Sequence, residues 1–184
     1  MLASGPGDGI WSTQPSRSSS SVPASPLRMT QPMKNHRLRV MCVSSAGGHL
    51  VQLKLVLPAF AEHDLILVST GEEDIGGAAG ATLYQIPEAS RWSRIQTMLC
   101  AWKLMRLIWR LRPSVIVSTG AAPGFLAVRI GRFFGARTVW LDSVANVEDI
   151  SLAGKLAQPH CDLFLTQWPA LAVEDGIHCA GGVL

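Results

Sequence analysis

The sequence predicts an α/β fold, a Rossmann-like parallel sheet with helices on both faces. Three observations carry this. Short runs rich in Val, Ile and Leu alternate with helix-compatible stretches, the order that builds a parallel sheet with crossover helices. The runs lack a polar alternation, as expected of strands covered on both faces. Small or polar residues close several runs, and ligands in such folds sit beyond the carboxyl ends of the strands.

The chain has 184 residues, enough for one domain with a sizeable core. Residues 1–36 stand apart. They are dense in serine (Ser16, Ser18, Ser19, Ser20, Ser21, Ser25) and proline (Pro6, Pro15, Pro23, Pro26, Pro32), without periodicity. Such a segment buries too little apolar surface to order itself, so a disordered tail is expected. It holds no signal-peptide core and no membrane span. Met33 precedes the first strand as an ordinary start would, and N-terminal sequencing of the native protein decides whether the tail is translated. The folded domain is expected over 37–184.

The first strand is read over Leu38–Val43. Ser44, Ser45, Ala46, Gly47, Gly48 and His49 follow, then a helix over Leu50–Leu57 with Pro58 behind it. Strand, glycine turn and helix aim backbone N–H groups and a helix N-terminus at one point, which suits a phosphate. Paired glycines let a bulky group approach the backbone. His49 adds an imidazole, a side-chain type suited to proton transfer. The turn is neither G-x-G-x-x-G nor a P-loop, and no cofactor is read from it. The same residues also describe an ordinary tight turn.

Leu65–Ser69 is the second strand. A long helix is read over Trp92–Leu111. Cys100, Leu104, Leu107 and Leu111 recur at the spacing of a stripe packed on a sheet. Lys103, Arg106 and Arg110 form a second stripe about a quarter-turn away. Trp102 and Trp109 lie opposite the leucines, with Met98 and Met105 beside them. Such a helix either lies on a membrane surface or is covered on both sides by the domain. The charge distribution leans to the membrane. From Ala89 to Leu141 there are nine basic residues and no acidic one, although residues 38–184 are neutral as a whole. A basic middle on a neutral domain points to a phosphate-bearing ligand or an anionic membrane surface, with no nucleic acid. The cations make insertion across a bilayer costly.

A strand over Ser114–Ser118 leads into Thr119, Gly120, Ala121, Ala122, Pro123 and Gly124, and then a helix over Phe125–Phe134. This repeats the strand, glycine turn, helix order of residues 38–57. Two such turns side by side would suit a diphosphate. Strands over Thr138–Leu141 and Leu163–Thr166 complete the set, ending in Asp142-Ser143 and Gln167. The four cysteines form no C-x-x-C pair, so no metal site is expected and a reducing, cytoplasmic compartment fits.

The run Trp140-Leu141-Asp142-Ser143-Val144-Ala145-Asn146 is followed by Ser151-Leu152-Ala153-Gly154-Lys155-Leu156-Ala157, then by Cys161-Asp162-Leu163-Phe164-Leu165-Thr166-Gln167-Trp168-Pro169. With Ser45-Ala46-Gly47-Gly48-His49 and Ser118-Thr119-Gly120, this resembles the ALG-fourteen family and its PssD-like and CpsF-like bacterial relatives over roughly residues 38–184. The resemblance implies the N-terminal, acceptor-side half of a split GT-B glycosyltransferase similar to MurG. A separate small protein then supplies the sugar-nucleotide-binding half, and the pair assembles at the membrane. Eukaryotic members help transfer GlcNAc from UDP-GlcNAc to a lipid-linked diphosphate sugar. Bacterial members serve exopolysaccharide, capsule or lipopolysaccharide synthesis. The implied location is cytoplasmic, peripheral on the inner face of the plasma membrane.

The resemblance also implies roles. Ser45, Gly47 and Gly48 would hold the acceptor's diphosphate or the sugar near it, and His49 would be the general base for the acceptor hydroxyl. Thr119 and Gly120 would share acceptor binding. Asp142, Ser143 and Asn146 would either bind sugar hydroxyls or hold the loop before Ser151. Trp168 would meet the partner subunit. Trp102, Lys103, Arg106, Trp109 and Arg110 would contact the membrane. Two departures stand out. Eukaryotic members carry an N-terminal anchor that is absent here, so attachment is expected through the 91–112 helix or the partner. They also carry Glu-Ser where this chain has Asp142-Ser143, so a different acceptor is expected.

Overall fold

In strand β1 (Arg39–Ser44) every residue after the first is buried. Met41 and Val43 enter one hydrophobic cluster and Val40 and Cys42 enter another. A strand coated on both faces has no position for a polar alternation, which is why the run reads as continuously apolar. The structure, a computed structural model, describes residues 37–71, 80–89, 93–172 and 176–183. The Ser/Pro-rich tail, Arg91 and Trp92 lie outside the described residues.

The remaining elements are α1 (Gly48–Val56), β2 (Asp64–Ser69), β3 (Thr82–Gln85), α2 (Arg94–Leu111), β4 (Val115–Ser118), α3 (Ala121–Phe133), β5 (Arg137–Leu141), α4 (Leu152–Ala157), β6 (Leu163–Thr166) and β7 (Ile177–Cys179). The described strands form one parallel sheet in the order β3-β2-β1-β4-β5-β6-β7. Helix α1 covers one face with Leu50 and Leu53. Helices α2 and α3 cover the other with Cys100, Leu104, Leu107, Ile108 and Ala127. Farther along that side Val128, Trp140, Ile150, Ala157 and Phe164 form a third cluster, with Trp140 stacked on Phe164 at 6.3 Å between ring centres.

Three elements were not foreseen. β3 and β7 are edge strands, and β3 is largely exposed, so neither shows a buried apolar run. α4 has only six residues, too short to display a period. Helix α3 starts at Ala121 rather than Phe125. Pro123 fits the first helical turn, where its missing N–H is not needed. Gly124 belongs inside the helix because a Cβ there would lie 2.0 Å from Ser118 Oγ. The long helix starts at Arg94, where Ser93 Oγ accepts from Gln96 N. Pro58 opens a 3₁₀ turn over Leu57–Phe60 instead of ending the structure. All four cysteines are free. Burial pushes the Cys42 thiol up to about 12 and that of Cys100 to about 11, consistent with small core residues.

Candidate active site

Strands β1 and β4 are neighbours, but their chain connections leave in opposite directions, β1 to β2 and β4 to β5. The crevice at their carboxyl ends is therefore the switch point where α/β sheets take ligands. Two helices begin there. Gly47 is the N-cap of α1 with φ 76°, Gly120 is the N-cap of α3 with φ 135°, and neither start carries a side-chain cap. Positive φ makes glycine the fitting residue at both positions. Thr70, just past β2, accepts from Ala46 N at 3.0 Å and steadies the first turn from a third strand end. Ser45 Oγ turns to the Ala46 carbonyl at 3.4 Å.

His49 stands between the two turns. Its Nδ1 lies 3.0 Å from the Thr119 carbonyl oxygen. Thr119 Oγ1 donates to the His49 carbonyl at 2.7 Å. A Cβ on Gly120 would come within 2.6 Å of the imidazole ring. Thr119 is fully buried, and its hydroxyl is committed to the His49 carbonyl.

The end of β5 is organised around Asp142, 1% exposed. Oδ1 accepts from Trp140 Nε1 at 3.0 Å and Ser151 Oγ at 2.6 Å. Oδ2 accepts from Asn146 Nδ2 at 3.1 Å and Ser151 N at 3.0 Å. Two donors on each oxygen fill the hydrogen-bonding sites of a carboxylate. Of the two roles the motif allowed, this arrangement is the loop-holding one. Ser143 Oγ accepts from Ala145 N at 3.3 Å within the same loop. Ser151 also caps α4 by accepting from Gly154 N at 2.9 Å. A Cβ on Gly154 would sit 2.8 Å from Asp142 Oδ1, so the Ser-Leu-Ala-Gly motif needs its glycine for this approach.

A family model described as "Oligosaccharide biosynthesis protein Alg14 like" matches residues 84–181. This chain belongs to the Alg14 family. The match takes in the Thr119–Gly120 turn, the Asp142 loop, the Ser-Leu-Ala-Gly motif and Trp168. Among relatives, the UDP-N-acetylglucosamine transferase subunit ALG14 of Yarrowia lipolytica is 36% identical over 75 residues, 37% of this chain and 34% of that protein. The mouse protein of the same name is 24% identical over 167 residues, covering 73% and 77%. In the Yarrowia match the chain spans about a third of the relative's own length. The fold resembles MurG of Acinetobacter baumannii, with a TM-score of 0.64 at 12% identity over 77% of this chain and 45% of that one. A UDP-N-acetylglucosamine 2-epimerase from Rickettsia bellii gives 0.61 at 15%, covering 80% and 46%. The expected architecture, a Rossmann-like half of a GT-B fold, is the one found.

One residue beside the site, Gln52 on α1, escaped sequence reasoning, and the role of Gln167 after β6 was not foreseen. Both are buried, and each donates from Nε2 to the Asp142 carbonyl at 3.1 Å. Gln167 Oε1 accepts from Val183 N at 3.1 Å. Their partners are backbone groups distant in sequence, so no spacing reveals them. Trp168, expected at a partner interface, is half-buried, and its indole N–H donates to the Val144 carbonyl at 2.9 Å. On α2, Trp102 and Trp109 are 57% and 60% exposed, and Met98 and Met105 are exposed beside them. Lys103, Arg106 and Arg110 are exposed on the same helix, while Cys100, Leu104 and Leu107 are buried and Leu111 is partly so. Arg132, also in the basic stretch, pairs with Asp162. Among the described residues no helix is long and apolar enough to cross a membrane.

Proposed function

We propose that this chain is the acceptor- and membrane-binding subunit of a two-component glycosyltransferase. Its partner binds a UDP-sugar, GlcNAc or a relative. The acceptor is a lipid-linked diphosphate sugar in polysaccharide or oligosaccharide synthesis. One observation carries the reading: two uncapped helix starts, α1 and α3, flank His49 at the switch point. Their N–H groups and positive dipole ends suit a diphosphate. Ser45, Gly47, Gly48, Gly120, Ser143 and Asn146 line the acceptor side. The acceptor hydroxyl gives its proton to His49 as its oxygen bonds to the anomeric carbon. The bond from that carbon to UDP breaks, and UDP leaves with the electron pair.

The protein works on the cytoplasmic face of the plasma membrane as a peripheral subunit. The exposed Trp102 and Trp109 bury their rings at the headgroup level, and Lys103, Arg106 and Arg110 meet anionic lipid. Flotation with anionic vesicles is expected to recover the wild type. Changing those three cations together to Glu is expected to lower partitioning about a hundredfold or more, at about 1 kcal/mol per charge. Unchanged flotation removes the membrane assignment. The transfer reading itself is tested by mixing the chain with a sugar-nucleotide-binding half, labelled UDP-GlcNAc and a lipid-linked diphosphate sugar. Labelled lipid product is expected only when both chains are present. Product from the partner alone leaves this chain as a recruiting scaffold.

A further inference from the structure

A carbonyl oxygen only accepts hydrogen bonds. The 3.0 Å contact between His49 Nδ1 and the Thr119 carbonyl therefore puts the proton on Nδ1. Nε2 then carries the lone pair, and among the described residues it has no hydrogen-bond partner. The return bond from Thr119 Oγ1 to the His49 carbonyl fixes the backbone that carries the ring. Gly120 closes the third side, because any Cβ there would overlap Cε1 and Nδ1 at 2.6 Å. These contacts come from one dipeptide 70 positions away in the chain, and Thr119 is wholly buried, with no exposed surface to offer a ligand.

We infer that Thr119 and Gly120 are positioning residues that hold His49 in its Nδ1–H tautomer, with Nε2 directed to the acceptor hydroxyl. This rests on the reading of His49 as the base. A histidine side chain free in water favours the opposite, Nε2–H form, so the clamp imposes a state that the side chain does not choose alone. Reorienting or loosening the ring costs proton transfer without weakening ground-state binding of the acceptor.

The test has a spectroscopic arm and a kinetic arm. Long-range proton–nitrogen correlation spectra of the nitrogen-labelled full chain, above the imidazole titration range, report which ring nitrogen is protonated. His49→Gln identifies the signal. The wild type is expected to show the pure Nδ1–H pattern, and Thr119→Val a mixture of the two forms. Thr119→Ser keeps the hydroxyl and is expected to restore the pure pattern. In the assembled transferase, Thr119→Val is expected to lower kcat about tenfold while the acceptor KM stays within about twofold, and Thr119→Ser to recover kcat. An Nε2–H signal in the wild type overturns the inference. So does a Thr119→Val variant that raises acceptor KM at unchanged kcat, since that marks a ligand contact. Gly120→Ala adds strain at φ 135°, so the conclusion rests on the Thr119 pair. A pure Nδ1–H signal together with full turnover of His49→Ala would uphold the clamp and remove only the base.

Discussion

His49→Ala is expected to lower kcat of the assembled transferase by about 10²–10⁴, the usual contribution of a positioned general base. The chain should stay folded. The ring is only half-buried, and its loss removes one hydrogen bond to the Thr119 carbonyl, worth about 1 kcal/mol. Acceptor KM should change little, because the turns that would hold the diphosphate offer backbone N–H groups. His49→Gln sharpens the test, since it keeps a hydrogen-bonding side chain of similar reach but no base. The same loss in both variants assigns the defect to proton transfer. The measurement is initial-rate transfer from labelled UDP-GlcNAc at saturating acceptor, with the partner present throughout. Full turnover in His49→Ala would end the catalytic role of this chain and favour the recruiting scaffold.

The second large effect is on stability. Asp142→Ala strips four hydrogen bonds from one buried site and leaves Trp140 Nε1 and the Ser151 backbone N–H without their acceptor. Each buried donor left unpaired costs about 1–3 kcal/mol, so a total of about 3–4 kcal/mol is expected. For a domain of this size that is a fall in Tm of about 10 °C, readable by thermal denaturation. The loss should be shared by Ser151→Ala, which removes the α4 cap and the shortest of the four bonds. A double variant should therefore cost less than the two singles added together, because they remove the same contact. Wild-type stability in Asp142→Ala would return the carboxylate to the acceptor side and revive the sugar-binding role.

The central architecture was legible because burial on two faces writes itself into composition. Val40, Met41, Cys42 and Val43 form an unbroken run of buried apolar residues, as do Ile66, Leu67 and Val68, and Ile116 and Val117. The edges were not legible: Thr82–Gln85 is mostly exposed and Ile177–Cys179 is three residues long. At the site, the two glycine turns stood out, since positive φ at a strand-to-helix junction leaves few residue choices. The division of labour among the polar residues did not. The family resemblance offered Thr119 to the acceptor and left Asp142 open between a sugar and its own loop. Only three dimensions reveal that their polar atoms are spent on His49 and on the Ser151 loop. Gln52 gave no signal at all, because its partner is a peptide carbonyl 90 residues on.

The pairing of β1 with β4 has a kinetic corollary. The His49 contact with Thr119 spans 70 residues of chain and is made by the same parallel pairing that joins Val43 to Ser118. Closing a loop of that length costs entropy before any contact rewards it. The nascent chain thus lacks the Thr119 side of the crevice until β4 has been synthesised and docked. Competence for chemistry and completion of the central sheet arrive as one event. In a refolding experiment, recovery of transfer should follow the slow, sheet-forming phase and not the earlier gain of helix signal.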